Sequence, residues 1–503
     1  MTDRPHGRLL ARNTGLNLLG QGIPLLVAIV ATPFIVRGLG SERYGIFSMA
    51  LVVLGYFGLF DLGLGRATTR FVATALSSNE RSDVPAIAWS AITVQAGLGM
   101  VAAGLLVVIA PIAVTRILNI QPSFVPEARR TLYVLAFSIP AVLIAGSLRG
   151  VLEAAQRFDL VNAVAAPLSA ANFLLPLGGV LLRWDLPAIV ATLLISRVAG
   201  AALFYASCLR VFPDLKRAPR FRVATARELL GFGGWVTVSS IISPILVYLD
   251  RIMVGVLFTM TAVAYYSAPY EMVTRVLIIP ISLVSTLFPA FSRIHGEEEI
   301  GRLHQLVGNS VKYLLGALAP AVVILLAFPR DILAWWLGAD FATNSSGALQ
   351  ILSVGVLANS IALVPFALIQ GSGRPDVTAK LHLVEVPIQF GVAWGFVNAW
   401  GIAGAALAWT TRTTLDAVLL FVAAFRLSVS SSRSLVEMKV PQFGGLLVLL
   451  GSGAVASRVL IHEVATRLLV VVTFLVLAGM YAWRRLLSNA ERSQIKALLP
   501  TTR

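Results

Sequence analysis

The chain has 503 residues, of which 57% are hydrophobic and only 13% charged, with a formal net charge of +16. Soluble domains carry about 25% charged residues, so a water-soluble fold would leave far too much apolar surface uncovered. Apolar runs long enough to cross roughly 30 Å of hydrocarbon recur along the whole sequence, much longer than the roughly ten-residue alternating strands of a membrane barrel.

The composition therefore predicts an all-α, polytopic membrane protein. In chain order, about fourteen transmembrane helices are expected, near 13–37, 43–65, 84–112, 130–152, 160–183, 186–209, 228–257, 260–292, 306–328, 346–370, 378–399, 401–425, 441–460 and 466–484. The first follows "MTDRPHGRLLAR" and is longer than the apolar part of a secretory signal, so no cleaved leader is expected. Lys and Arg concentrate in alternate connections, counted from the N-terminus, and the densest run is "RVFPDLKRAPRFRVATAR". The positive-inside rule then places both termini in the cytoplasm and explains the basic surplus without a nucleic-acid partner. Trp184, Trp335, Trp336 and Trp400 fall at the opposite interface, where an aromatic belt belongs. The single Cys208 permits no intrachain disulfide.

The basic run also divides the chain. An N-terminal six-helix lobe (1–209) is followed by a cytoplasmic linker (210–227) and a C-terminal six-helix lobe (228–426). Two extra transmembrane helices and a cytoplasmic tail complete it (427–503). "DLPAIVATLLISRVAGAALFYASCLR" aligns with "WGIAGAALAWTTRTTLDAVLLFVAAFR" when Arg197 is set on Arg412. Just upstream, "EAAQRFD" aligns with "QGSGRPD", with Arg157 on Arg374 and Asp159 on Asp376. Six spans are an even number, so the two copies keep one orientation, related by an axis along the membrane normal with a cavity between them.

Charges inside the spans are the candidate functional groups. At 1.5 Å per residue, Arg197 and Arg412 lie roughly 16 Å from the outer ends of their helices, near the midplane. Glu271 is at similar depth, with Arg275 one turn below it, and Asp416 is one turn below Arg412. An arginine there costs roughly 2.5–3.5 kcal/mol against lipid, so these side chains should face a bundle interior or a wet cavity. Glu271–Arg275 and Arg412–Asp416 are i,i+4 pairs that can neutralise each other and simply hold helices together. Arg197 has no acid within four residues on its own span, so an anion-facing role is expected for it.

A second group lies near the cytoplasmic ends. "FDLGLGRATTR" brings Asp61, Arg66 and Arg70, and "SLRGVLEAAQRFD" brings Arg149, Glu153, Arg157 and Asp159. If the helix continues, Glu153 is four residues from both Arg149 and Arg157 and can pair with either. These arginines read either as interfacial snorkelling or as a basic access port for a phosphate-bearing substrate. Asp250 and Arg251 are adjacent, cannot share a helix face, and are expected to pair with neighbouring helices.

"LGSERYGIFSMA", the span after it and "FDLGLGRATTR" resemble the N-terminal signature of the polysaccharide and O-antigen flippases. These belong to the multidrug/oligosaccharidyl-lipid/polysaccharide exporter superfamily. "YLDRIMVGVLFTMTAVAYYSAPYEMV" and "LFPAFSRI" are similar to the family's seventh and eighth helices. The resemblance implies transfer of a polyprenyl-pyrophosphate-linked oligosaccharide from the inner to the outer leaflet of a bacterial inner membrane. It also implies coupling to an H+ or Na+ gradient and delivery to polysaccharide polymerase machinery. By position it implies Arg66, Arg70, Arg197, Arg275 and Arg412 as the headgroup-binding set, and Asp61, Glu271 and Asp416 as cation-coupling candidates.

Two rivals are weighed against this. A multidrug exporter of the same superfamily would share the helices, but a cavity for cationic drugs should be acidic or aromatic. A membrane glycan polymerase or ligase should carry a sizeable outer loop with catalytic groups, and the longest outer segments here are short. No metal spacing, Gly-rich phosphate loop or nucleophile motif occurs, so no catalytic site, metal or cofactor is expected.

Overall fold

A computed structural model describes residues 4–59, 63–78, 81–216, 221–231, 234–293, 297–427, 432–489 and 491–493. The described residues fold into helices: α1 (Arg4–Leu59), α2 (Leu64–Ser77), α3 (Val84–Ile112), α4 (Val125–Ala136), α5 (Ile139–Ala154), α6 (Phe158–Leu181), α7 (Leu186–Val211), α8 (Val223–Gly231), α9 (Gly234–Leu257) and α10 (Met260–Thr274). They continue with α11 (Ile278–Arg293), α12 (Glu297–Ala327), α13 (Pro329–Trp336), α14 (Ala339–Gly371), α15 (Pro375–Arg426), α16 (Ser432–Glu437), α17 (Val440–Leu460) and α18 (Val464–Tyr481). Eleven helical segments among the described residues are long and apolar enough to cross a membrane. The chain is thus an all-helical, multi-pass membrane protein.

Two expected pairs of spans follow one another directly, each pair joined by a sharp turn at a glycine that breaks the helix in two. In α1 the turn is at Gly40 (φ 74°), and in α15 at Gly401 (φ 56°), both in the left-handed region that suits glycine. Around Gly401 the chain folds back on itself. A Cβ on Gly404 would lie 1.8 Å from the carbonyl oxygen of Phe396, eight residues earlier, whereas a straight helix would separate them by about 12 Å.

Prolines explain where other expected spans break. The fourth divides into α4 and α5 at Phe137–Ser138, with Pro140 in the first turn of α5, where its missing N–H is harmless. The eighth divides into α10 and α11 through a tight 3₁₀ turn at Arg275–Leu277. Pro280 follows and has no N–H to bond Val276, so the α-ladder is interrupted there.

The chain forms two compact units, residues 1–268 with 382–405, and residues 269–381 with 406–503. In the first, Val72, Leu148, Leu152, Phe204 and Cys208 lie in one buried apolar cluster that joins α2, α5 and α7. Helix α2 is amphipathic: Leu64, Ala67, Thr68, Val72 and Ala75 are buried at three- and four-residue spacing, while Arg66 and Arg70 stand exposed on the other face. In the second unit, Val311, Leu314, Leu368, Leu420, Phe443 and Leu447 knit α12, α14, α15 and α17 together. Charges pin α18 and the segment after it to the rest of this unit. Arg467 reaches Asp331 at 2.5 Å and stacks 4.8 Å from the Phe328 ring. Past α18, Glu491 pairs with Lys312 and accepts from Tyr313 Oη at 2.9 Å.

Candidate functional site

Helices α5, α6 and α7 line a half-open cavity of about 290 Å³ in the first unit. Each helix contributes one face. Val142, Ala145, Gly146 and Arg149 come from α5, Leu168, Ser169 and Asn172 from α6, and Ser196, Arg197, Gly200 and Phe204 from α7. The three- and four-residue spacing makes each set a stripe. Small residues keep α6 and α7 close below it: a Cβ on Gly200 would lie 2.5 Å from a methyl of Leu168. The N-terminus of α7 is fixed by Asp185, whose side chain accepts from Ala188 N at 3.1 Å, with Pro187 in the first turn.

Arg197 is the central charge of this cavity. Its NH2 donates to Asn172 Oδ1 at 3.2 Å, and its Nε is buried without an acceptor among the described residues. Nothing acidic lines the cavity with it. Arg149 stands on the wall of the same cavity and is held by Glu153 at 2.6 Å. Serine hydroxyls, an amide and two guanidinium groups on an otherwise apolar wall suit an anion bearing several acceptor oxygens, attached to something greasy.

Helix α5 ends at Ala154, because Gln156 takes a left-handed conformation (φ 55°). Arg157 therefore does not continue the helix and cannot reach back to Glu153. It pairs instead with Asp159 through two hydrogen bonds of 2.9 and 2.7 Å, and that bond holds the Arg157 guanidinium above its usual pKa. The same joint recurs at the aligned position. Gly373 is left-handed (φ 76°), Arg374 N bonds Ile369 O as Arg157 N bonds Leu152 O, and Arg374 pairs with Asp376 at 3.0 Å. The sequence alignment of "EAAQRFD" with "QGSGRPD" is thus matched bond for bond in the backbone.

The remaining candidates are elsewhere. Arg412 is half-buried on α15. Its Nε is buried, and it forms no hydrogen bond or ion pair among the described residues, so the pairing with Asp416 that the i,i+4 spacing allowed is not made. The helix around it is tied to α14 by Thr410 Oγ1 to Ile351 O (3.0 Å) and Thr413 Oγ1 to Gly355 O (3.2 Å). Asp416 is buried. Glu271 and Arg275 do pair, at 3.8 Å. Arg197 belongs to the first unit, and Arg275 and Arg412 to the second. Arg66 and Arg70 do not line the Arg197 cavity. Asp61 lies outside the described residues. Asp250, fully buried on α9, accepts from Tyr266 Oη of α10, and Arg251 packs 5.9 Å from the Tyr248 ring. The Asp250 contact crosses from α9 to α10, whereas the Arg251 contact lies within α9.

Asn172, Ser169 and Ser196 were not legible as site residues, because uncharged polar groups in a span carry no signal until a cavity surrounds them. The "GSERYG" motif turns out to be architectural. Arg43 pairs with buried Glu127 at 3.0 and 3.1 Å, and Glu127 also accepts from Leu186 N at 3.1 Å. Gly45 packs so tightly that a Cβ would lie 1.8 Å from Met260 O.

Residues 10–295 match the family described as polysaccharide biosynthesis protein. A Shigella flexneri protein named "Putative O-antigen transporter" is 32% identical, over 82% of this chain and 96% of its own length. A Haloferax volcanii protein named "Probable low-salt glycan biosynthesis flippase Agl15" is 23% identical, over 80% of each chain. The helical arrangement is similar to an inward-facing multidrug resistance MATE family transporter of the MOP superfamily, with a TM-score of 0.70. That likeness covers 82% of this chain and 98% of the other, at 15% identity, and it speaks for the fold. These relatives are named as transporters and flippases, not as enzymes. The chain belongs to the polysaccharide biosynthesis protein family.

Proposed function

We propose that this protein is a flippase for polyprenyl-pyrophosphate-linked oligosaccharide, working for cell-surface polysaccharide. The observation that carries the reading is Arg197: a guanidinium on a cavity wall with one neutral hydrogen-bond partner and no acid beside it. A half-buried cation whose Nε is shielded from water and has no counter-charge beside it is costly, and a pyrophosphate supplies both the charge and the acceptor oxygens. The apolar wall from Leu168 and Phe204 suits the start of a polyprenyl chain. The names of the relatives support the same substrate class.

In this reading the protein spans the bacterial inner membrane with both termini in the cytoplasm, as the distribution of Lys and Arg favours. The lobes 1–209 and 228–426 expose the headgroup site to one face at a time while the tail stays in lipid. Arg66, Arg70, Arg275 and Arg412 complete the anion path, with Arg149 and Arg157 near its cytoplasmic access port. Asp61, Glu271 and Asp416 are candidates for binding the H+ or Na+ that drives it. An acid does so by holding the cation better in one state than in the other. A polysaccharide polymerase on the outer side would take the product. The purified chain in vesicles tests this reading against multidrug export. The flippase reading expects transfer of a fluorescent polyprenyl-pyrophosphate oligosaccharide and no transport of a cationic dye; the reverse outcome overturns it.

A further inference from the structure

Glu42 follows the Gly40 turn of α1 and is buried. Its carboxylate accepts from Thr261 N at 3.1 Å, from Thr261 Oγ1 at 2.6 Å and from Gln121 N at 3.5 Å. Thr261 is the second residue of α10, so one helix supplies the negative cap for the start of another, where N–H groups have no partner of their own. Two further contacts lie beside it. Asn119 N donates to Gly255 O at 3.0 Å, and Gly45 lies against the Met260 carbonyl.

These contacts share one property. Residues 42–45 and 119–121 fall in the expected N-terminal lobe (1–209) and 255–261 in the expected C-terminal lobe (228–426), and all of them pack within the first compact unit. The adjacent acid behaves differently: Glu127 is taken up by Arg43 and Leu186, all from 1–209. Two buried carboxylates therefore stand near one end of the helices, one binding within the expected N-terminal lobe and one binding helices on the far side of the basic linker. By the charge distribution this end faces outward.

We infer that Glu42 is the latch carboxylate of the outer side: it holds the α9–α10 turn closed while the cavity is open to the cytoplasm, and lets go when the outer side opens. The inference rests on the alternating-access reading above. A polar latch suits this task, because water can satisfy both the released carboxylate and the freed amide of Thr261, so opening leaves neither group unsolvated. Glu42 is a positioning residue; it acts on the turn and touches no substrate.

The test uses the full-length chain with Cys208→Ala, which removes the single native cysteine, and Met260→Cys as reporter at a position 0% exposed. A membrane-impermeant maleimide is added outside intact cells. The latch expects slow labelling in this background, at least threefold faster labelling with Glu42→Ala, and a rate near the parent with Glu42→Gln, whose carbonyl still accepts from Thr261. Equal rates per folded protein in all three overturn it, whatever happens to abundance. A second arm needs no disturbed seal. Glu42→Cys with Thr261→Cys, oxidised to a disulfide, should stop headgroup transfer in vesicles, and reduction should restore it; undiminished transfer by the oxidised protein overturns the latch. Labelling is read without transport, so failure of the flippase reading and failure of the latch are distinguishable.

Discussion

Arg197 on α7 donates to Asn172 on α6 at 3.2 Å, and this is the one hydrogen bond its guanidinium makes among the described residues. The amide orients the fork without neutralising it, leaving a fixed positive group on the wall of a cavity between three helices. A structural arginine would be expected to find a carboxylate, as Arg467 does with Asp331 and Arg43 with Glu127.

Replacing Arg197 with alanine should separate binding from folding. The fold loses one hydrogen bond, worth about 1 kcal/mol net, so membrane abundance and melting temperature should stay close to the parent. Binding of a pyrophosphate-bearing lipid should weaken about 10- to 150-fold, the range for losing a charged hydrogen bond. Arg197→Lys should be only partly competent, because an ammonium lacks the planar fork. Isothermal titration in detergent, with a neutral lipid as control, measures both.

Arg149 offers a change in the opposite direction. Glu153 holds it at 2.6 Å on the exposed side of the cavity, and such a pair is worth only about 0.2–1 kcal/mol. Glu153→Gln frees the guanidinium and should tighten headgroup binding by roughly 1.4- to fivefold. The gain should shrink as salt is raised. Titrations at low and high salt read it directly.

Two glycines should be intolerant for steric reasons, and a third should not. A Cβ at Gly45 or Gly404 would approach a backbone carbonyl to 1.8 Å, and a backbone oxygen cannot swing aside; Gly395 has nothing within 4 Å of that position. Gly45→Ala and Gly404→Ala should sharply reduce folded protein, measured by fluorescence-detected size exclusion, while Gly395→Ala stays near the parent or gains slightly from helix propensity.

The Lys312–Glu491 pair ties the C-terminal segment to α12, and both groups are buried. Burial works against the Glu491 carboxylate, but bonds from Lys312, Ser488 and Tyr313 prevail and hold its pKa at about 2, below its ordinary 4.5. A lowered folded-state pKa contributes stability that is complete above about 4.5 and is lost as pH falls toward about 2. Glu491→Gln should flatten the acid limb of a thermal-shift profile below pH 4.5 and, by leaving Lys312 uncompensated, cost about 3–5 kcal/mol at neutral pH. Lys312→Met with Glu491→Leu should recover most of that loss.

Much of the fold was legible because the bilayer imposes length and polarity on every span. The matching joints at Arg157 and Arg374 were legible too, since a left-handed residue followed by an Arg–Asp pair leaves a recognisable trace. The breaks in the fourth and eighth spans were not read, although Pro140 and Pro280 were in plain view, because a hydropathy run does not register a lost N–H. Charge in a span drew attention to Arg197, which lines a cavity. Spacing left open whether Arg412 and Asp416 pair, since i,i+4 geometry permits a pair without requiring one. Glu42, Glu127, Lys312 and Glu491 were passed over because their partners are distant in sequence, and only the folded chain brings them together.

The account depends on Arg197 contacting the phosphate-bearing part of a lipid-linked glycan during transfer. Purified parent protein and Arg197→Ala, at equal amounts in vesicles carrying a cation gradient, should be compared for movement of a fluorescent polyprenyl-pyrophosphate oligosaccharide between leaflets. Transfer by the parent, at least tenfold slower in the variant, is the expected result; equal rates in the two proteins, or no transfer by the parent, would contradict it.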